Sequence, residues 1–293
     1  MTGVSIQGTV LDHVAHAVHR WQDVWTRYAV DLGAEWNSGG PGPGFAPGQL
    51  RFRNGARVEL LMPWDTEVND FLARFIANNG PGPHHLTFKV PDLAAALKKV
   101  RAAGFDPIGI DFSHPEWLEA FIHPKQATGV VVQLAEAPVP WSSPPPDDYP
   151  PNRRQWSDGS GPMPPASLRW VVHAVADLAG AVGLFVDLLG GTVADQGSVR
   201  GHQWMDVTWD GPLGVRLVAA VDPSSPNQVS EWLEGRPGRI HHLRFSAQSP
   251  SGLPGVQPTS AALPGLGRNT APTACWKIAA EDNAGLRLVI SPS

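Results

Sequence analysis

The sequence predicts an α+β protein that consists of two similar domains. Three motifs of the first half recur in the second half, each 157 residues later: His16-Ala17-Val18, Leu32-Gly33 and His84-His85-Leu86. A constant offset over such a distance indicates a duplicated domain. Residues 137–166, between the copies, contain ten prolines in thirty positions, and proline disfavours helices and central strands. We therefore expect domains at residues 10–137 and 167–293, joined by a proline-rich linker at residues 138–166.

The composition excludes several classes of protein. Of the 293 residues, 42% are hydrophobic and 17% are charged, which suits a folded core. A net charge of −5 argues against a nucleic-acid-binding protein, and one cysteine, Cys275, excludes internal disulfides and Cys-rich zinc sites. No apolar run approaches the length of a membrane span. We expect a cytoplasmic monomer or homodimer that binds a small molecule, without nucleic-acid or membrane partners.

A shorter unit repeats inside the first half. A strand that begins at Leu11 precedes a helix whose apolar positions share one face, namely Trp21, Val24, Trp25, Tyr28, Ala29 and Leu32. A second strand begins at Pro83, and Asp92 is placed to cap the helix that follows it. After the first helix, Asn54-Gly55 separates two strand-like segments, which is a strong hairpin signal. The unit is therefore a strand, a helix and hairpin strands, with four copies in the chain.

Strand parity places four polar side chains on one face of the predicted sheet. Apolar residues alternate along each strand and must meet the helices. The opposite faces then carry His13, Glu59, His85 and Gln133, one from each of four strands. A single histidine in a strand is more often a hydrogen-bonded core residue than a ligand. Two histidines at matching repeat positions, with Glu59 beside them, favour a divalent-metal site that leaves positions for water or substrate.

The first half resembles the vicinal oxygen chelate superfamily, which includes glyoxalase I, methylmalonyl-CoA epimerases, extradiol dioxygenases and bleomycin-resistance proteins. It is most similar to the epimerase branch in four stretches: Leu11-Asp12-His13-Val14-Ala15, Val58-Glu59-Leu60-Leu61-Met62-Pro63, Gly82-Pro83-His84-His85-Leu86, and Ile122-His123-Pro124-Lys125 with Gly129-Val130-Val131-Val132-Gln133-Leu134. The resemblance implies tandem domains, each of two βαβββ modules that form a curved, mostly antiparallel sheet around a cavity. It also implies that His13, Glu59 and His85 are metal ligands, with Gln133 in the place of the last ligand.

Two departures from the epimerase pattern bear on function. The last ligand of the family is usually Glu, where this chain has Gln133. The family's additional carboxylate base maps to residues 49–53, which contain no acid. Pairing counted back from the Asn54-Gly55 turn places Leu50 opposite Glu59. We therefore do not expect methylmalonyl-CoA epimerase activity as such.

Three further residues of the first half are candidates for the reaction. Glu119 is a weak candidate for a proton shuttle. His123 and Lys125 lie in a predicted hairpin loop, where they would contact an anionic substrate or form an ordinary solvated turn.

The second half has lost the predicted metal site. Trp170, Arg216, His242 and Val289 stand at the four ligand positions. Parity places Arg216, Arg244 and Arg287 on one face, which predicts an anion between them: a carboxylate or phosphate ligand, or a linker acid such as Asp147 or Asp148. The alternative is that strand twist turns these arginines outward.

Three functions remain open from the sequence. The first is a divalent-metal-dependent isomerase or lyase that chelates a small oxygenated substrate and stabilises an enolate-like intermediate. The second is an iron(II) extradiol-type dioxygenase, and the third is a ligand-binding or resistance protein without turnover. The expected cofactor is one Mn, Co, Ni, Zn, Mg or Fe ion.

Overall fold

The chain forms two eight-stranded sheets with few helices, which confirms the predicted α+β fold. The computed structural model describes residues 5–151, 153–155, 159–199, 201–225, 227–259 and 274–293. The first sheet, called the first unit, consists of β1 (Val10–Ala17), β2 (Glu35–Gly39), β3 (Phe45–Arg51), β4 (Arg57–Pro63), β5 (Gly82–Lys89), β6 (Pro107–Asp111), β7 (Leu118–Ile122) and β8 (Val131–Glu136). The second unit consists of β9 (Ser167–Val175), β10 (Thr192–Val199), β11 (His202–Thr208), β12 (Gly214–Ala220), β13 (Gly238–Ala247), β14 (Gln257–Thr259), β15 (Cys275–Ile278) and β16 (Leu288–Pro292).

Both sheets have the same strand order. In the first unit the order is β2-β3-β4-β1-β5-β8-β7-β6, and the second unit repeats it as β10-β11-β12-β9-β13-β16-β15-β14. The two central strands of each sheet are antiparallel, and each pairs in parallel with the last strand of its own module. The remaining pairs are antiparallel. Each sheet is therefore two modules joined through their first strands.

Helices follow the first strand in three of the four modules. The α-helices are α1 (Gln22–Trp25), α2 (Phe71–Asn79), α3 (Leu93–Ala102), α4 (Leu178–Val182) and α5 (Gln228–Leu233). Helices α1 and α4 continue as π-helices, Thr26–Asp31 and Gly183–Leu188. Asp92 caps α3 as predicted, because its Oδ1 accepts from the Ala95 N–H at 2.7 Å. No α-helix follows β13 within the described residues; a short 3₁₀ helix, Pro250–Gly252, lies there instead, as expected of a proline-rich segment. A second 3₁₀ helix, Glu281–Asn283, precedes β16.

The two units share one hydrophobic core. Its buried residues come from both sheets, and aromatic rings meet across the boundary, such as Phe52 with Phe245 at a centroid distance of 5.0 Å. The linker lies against the first unit: Trp36 Nε1 donates to the Ser143 carbonyl at 3.0 Å, and the Tyr149 hydroxyl donates to the Ala34 carbonyl at 3.0 Å. Among the described residues, no helix has the length and apolar character of a membrane span.

A symmetric pair of hydrogen bonds also joins the units. His16 Nε2 donates to the Ala284 carbonyl at 2.8 Å, and His173 Nε2 donates to the Thr128 carbonyl at 2.9 Å. His16 and His173 are equivalent at the 157-residue offset and are fully buried. Thr128 and Ala284 have positive φ, and a glycine of positive φ follows each. Each unit therefore contributes the same donor and the same left-handed turn.

Candidate metal centre

Three strands bring His13, Glu59 and His85 together on one face of the first sheet. One nitrogen of each histidine and one oxygen of Glu59 all lie within 4.8 Å of one another. His13 Nε2 is 3.4 Å from Glu59 Oε2, and His85 Nε2 is 3.6 Å from the same oxygen. All three residues are buried. The arrangement follows from strand pairing, since β1 lies between β4 and β5.

The donor atoms of this cluster suit a divalent cation. His85 Nε2 is buried and has no hydrogen-bond partner among the described residues. Its other nitrogen lies 2.8 Å from His84 Nδ1, so a hydrogen on His85 Nδ1 would leave the Nε2 lone pair facing Glu59. Burial alone would lower the pKa of His13, but the carboxylates of Glu59 and Asp12 raise it to about 9. The site thus stabilises positive charge at the point where the three donors converge.

Asp12 orients the first of these histidines. Its Oδ2 accepts from His13 Nδ1 at 2.8 Å, which leaves Nε2 for the cluster. Burial alone would raise the pKa of Asp12. The hydrogen bond to His13 and the nearby Arg57 and Lys89 instead lower that pKa to about 2. The Arg57 guanidinium lies 2.6 Å from Asp12, so the supporting carboxylate stays ionised and fixed.

Gln133 and Glu119 lie beside the cluster, connected to it through Thr87. The Thr87 hydroxyl is 2.8 Å from His13 Nε2 and donates to Gln133 Oε1 at 2.5 Å. Gln133 Nε2 donates to Glu119 Oε2 at 2.7 Å, and Trp117 Nε1 donates to the same oxygen at 2.9 Å. Burial raises the pKa of Glu119, and the hydrogen bonds from Trp117 and Gln133 oppose that effect in part. A chain of hydrogen bonds therefore leads from the cluster to a carboxyl group.

Sequence reasoning missed Gln49 because it placed the β3–β4 pairing one residue out of register. Gln49, not Leu50, lies opposite Glu59, and its Nε2 donates to Glu59 Oε1 at 3.3 Å. The loop contains three residues rather than two, since the Phe52 N–H bonds the Ala56 carbonyl at 2.9 Å. Three-residue hairpin loops with glycine in the left-handed region are a common alternative to the two-residue turn. A three-residue loop predicts that Gln49 pairs with Glu59, and this pairing places Gln49 in the site.

His123 and Lys125 lie in the turn after β7, and both are exposed. His123 Nδ1 accepts from the Lys125 N–H at 3.2 Å. No hydrogen bond between these two side chains and the three-residue cluster occurs among the described residues. Their contact with an anionic substrate stays a prediction.

The second unit holds different side chains at the equivalent positions. Arg216 pairs with Val172 as Glu59 pairs with Ala15. Arg216 donates to Asp206 through two contacts, from Nε to Oδ1 at 2.5 Å and from Nη2 to Oδ2 at 2.6 Å. This carboxylate comes from β11.

The carboxylate beside Arg216 is therefore not a linker acid, which was one of the anions expected among the three arginines. Asp148 is exposed and accepts from Gln22 in the first unit at 2.7 Å. Asp147 is exposed as well. Within the described residues, only the first unit contains a metal-type cluster of histidine and carboxylate groups.

Comparison with known proteins finds one matching family profile and several similar solved structures. The Glyoxalase/Bleomycin resistance protein/Dioxygenase superfamily profile matches residues 12–119, and no curated protein sequence matches the chain. A triple mutant of 4-hydroxymandelate synthase from Streptomyces coelicolor is similar over 97% of this chain and 92% of its own, with TM-score 0.60 and 13% identity. Methylmalonyl-CoA epimerase from Mycobacterium tuberculosis covers 47% of this chain and 94% of its own, with 27% identity and TM-score 0.42. A hypothetical protein from Bacillus halodurans covers 47% of this chain and 100% of its own, with 25% identity and TM-score 0.42.

Proposed function

The first half of this chain belongs to the glyoxalase/bleomycin resistance protein/dioxygenase superfamily, and from this premise we propose that it is a divalent-metal-dependent isomerase or lyase. The observation that carries the proposal is the convergence of two imidazoles and one carboxylate within 4.8 Å. The buried, unpartnered Nε2 of His85 supports it, because such an atom is costly unless something binds it. The substrate would be a small molecule with neighbouring oxygen atoms.

The ion would be held by His13, Glu59 and His85. The amide oxygen of Gln133 would be a fourth ligand, or Gln133 would orient a different fourth ligand. When bound, a divalent ion supplies a Lewis acid that polarises the oxygens of a substrate. Asp12 holds the His13 ring in place through Nδ1, and Gln49 holds Glu59 Oε1. Both contacts limit rotation of the ligand side chains, which keeps the donors preorganised.

Glu119 is the group best placed to move a proton. Its pKa is raised by burial, which brings a carboxyl group closer to the range where it both accepts and releases protons near neutral pH. Gln49 occupies the strand where the family resemblance implies a base, and an amide cannot take up a proton. We therefore expect a reaction with one proton-transferring carboxyl group, which is compatible with a lyase or a one-base isomerase.

One observation favours a second candidate, an iron(II) dioxygenase. Two histidines and one carboxylate are the donor set of the facial triad that binds non-haem iron, and His13, His85 and Glu59 provide it.

A third candidate, ligand binding without turnover, is favoured by the amide of Gln49 in place of a base. A cytoplasmic location and a monomeric or homodimeric state stay predictions.

A metal screen separates these candidates. Metal-free protein would be loaded in turn with Mn, Co, Ni, Zn, Mg or Fe(II) and assayed for exchange of substrate C–H hydrogen with deuterated water, using a panel of small hydroxy and oxo acids. In parallel, oxygen uptake would be measured with catechols. Exchange that depends on a redox-inactive metal supports the isomerase or lyase. Oxygen uptake with iron alone supports the dioxygenase, and retention of no metal contradicts both.

A further inference from the structure

The second unit contains a pair of histidines equivalent to His84 and His85, in a different electrostatic setting. His241 Nδ1 and His242 Nδ1 lie 2.7 Å apart, and the equivalent atoms of His84 and His85 lie 2.8 Å apart. In the second unit, however, Arg287 Nη1 lies 2.8 Å from His241 Nε2. An arginine N–H only donates, so His241 Nε2 must be the acceptor.

This contact fixes the hydrogen positions of the whole pair. His241 is neutral, since burial and the neighbouring Arg287 and Arg239 lower its pKa to about 3. With Nε2 accepting, its hydrogen is on Nδ1 and is donated to His242 Nδ1. His242 is also neutral, because burial and nearby positive charges lower its pKa well below the ordinary value. Its own hydrogen is therefore on Nε2.

His242 Nε2–H is a buried donor without an acceptor. The residue is fully buried, and this nitrogen has no hydrogen-bond partner among the described residues. In the first unit the corresponding atom, His85 Nε2, faces the carboxylate of Glu59 at 3.6 Å. In the second unit Arg216 stands at the position of Glu59. An N–H surrounded by cations suits an anion and repels a metal ion.

Three arginine side chains lie close enough to this donor to act on its ring. Arg216, Arg244 and Arg287 all act on the pKa of His242 in the same direction, after burial and His241. Asp206 neutralises Arg216 through two contacts, and Glu281 acts on Arg287. Arg216 and His242 lie on either side of β9, since each pairs with Val172.

Tryptophan rings line the same region. The Arg216 guanidinium lies 4.7 Å from the Trp204 ring and 5.8 Å from the Trp170 ring. The Arg287 guanidinium lies 4.9 Å from the Trp232 ring. Flat aromatic surfaces beside guanidinium groups accommodate an apolar or aromatic body next to a negative charge.

We infer that this face of the second unit, formed by His242, Arg244, Arg287 and the neighbouring tryptophans, binds an organic carboxylate with an aromatic body. The carboxylate accepts from His242 Nε2–H, and its charge is balanced by the arginines. The inference does not depend on the metal centre of the first unit.

Calorimetric titration of the full-length protein with benzoate tests this inference, in a buffer free of other carboxylates and of phosphate. We expect one benzoate per chain, weaker binding of inorganic phosphate and no binding of benzyl alcohol, which has the ring without the charge. His242→Phe keeps a flat aromatic ring and removes the donor, so we expect a loss of affinity of about ten-fold or more. His114→Phe, at an exposed position outside both sites, is the control and should leave benzoate binding unchanged.

Two further measurements keep the inference falsifiable if His242→Phe does not fold. The ¹⁵N chemical shifts of the histidine rings should show a protonated Nε2 at His242 in the wild-type protein. Arg287→Met removes the N–H group that fixes the tautomers of His241 and His242. We expect a mixture of tautomers at these two residues and weaker binding of benzoate. No binding of benzoate, equal affinity in a folded His242→Phe protein, loss of binding in His114→Phe, or an unprotonated Nε2 at His242 would each overturn the inference.

Discussion

Acidification should lower the free energy of unfolding through His16 and His173, because it places charge on two buried imidazoles. Each imidazole is fully buried and donates from Nε2 to a backbone carbonyl of the other unit. Burial lowers the pKa of each from 6.5 to about 4. Since the unfolded chain then binds a proton more readily than the folded protein, each histidine's contribution is fully present above about pH 6.5 and is lost as the pH falls towards 4.

The magnitude follows from these pKa values. At pH 5 an unfolded histidine is almost fully protonated, whereas one with a pKa of about 4 is mostly neutral. The difference lowers the free energy of unfolding by about 2 kcal/mol per histidine between pH 7.5 and pH 5, and by about 4 kcal/mol for both. This is a large fraction of the stability of a typical domain.

Urea unfolding of the wild-type protein and of His16→Gln at pH 7.5 and pH 5 measures this effect. Glutamine keeps an N–H donor and cannot be protonated. We expect the wild-type protein to lose about 2 kcal/mol more than the variant between the two pH values, and His173→Gln to behave in the same way. His123→Gln, at an exposed turn, is the control and should follow the wild type. An identical pH response in wild type and His16→Gln would refute the reasoning.

Three further outcomes concern the metal centre. His13→Ala and His85→Ala should each reduce bound divalent metal at least ten-fold by elemental analysis, whereas His242→Ala should retain it; unchanged metal in both first-unit variants contradicts the ligand assignment. Gln133→Glu adds a full charge and should slow metal loss to a chelator at neutral pH, and equal or faster loss would place Gln133 outside the coordination sphere. Glu119→Gln should keep the metal and lower kcat about 100-fold or more, and undiminished turnover would exclude Glu119 as the proton carrier.

Alternation along the strands was sufficient to bring His13, Glu59 and His85 together. Each side chain points to the face opposite the apolar residues of its own strand, and the face of a residue is independent of the exact strand ends. The tandem architecture was also visible, because the 157-residue offset relates residues that occupy equivalent places in the two sheets.

Hydrogen bonds between strands were not predictable in the same way. The pairing of Gln49 with Glu59 depends on whether the β3–β4 loop has two or three residues, and Asn54-Gly55 is compatible with both. Asp206 and Arg216 are the equivalents of Gln49 and Glu59 at the 157-residue offset. The same one-residue error in the predicted hairpin register therefore hid both contacts. The chain from Thr87 through Gln133 to Glu119 depends on side-chain rotamers, which strand alternation leaves undetermined.

The hydrogen bonds of His16 and His173 form a self-complementary contact between the two halves of one chain. His16 and the turn at Thr128 belong to the same half, so a donor and its acceptor are presented together, as in a two-fold symmetric contact. If the chain were cut within the linker, the N-terminal piece would offer to a second copy of itself what it now offers to its fused neighbour. The expected product is a homodimer with two copies of the His13, Glu59 and His85 cluster. In the fused chain the symmetric contact is present although arginine and tryptophan stand at ligand positions in the second half.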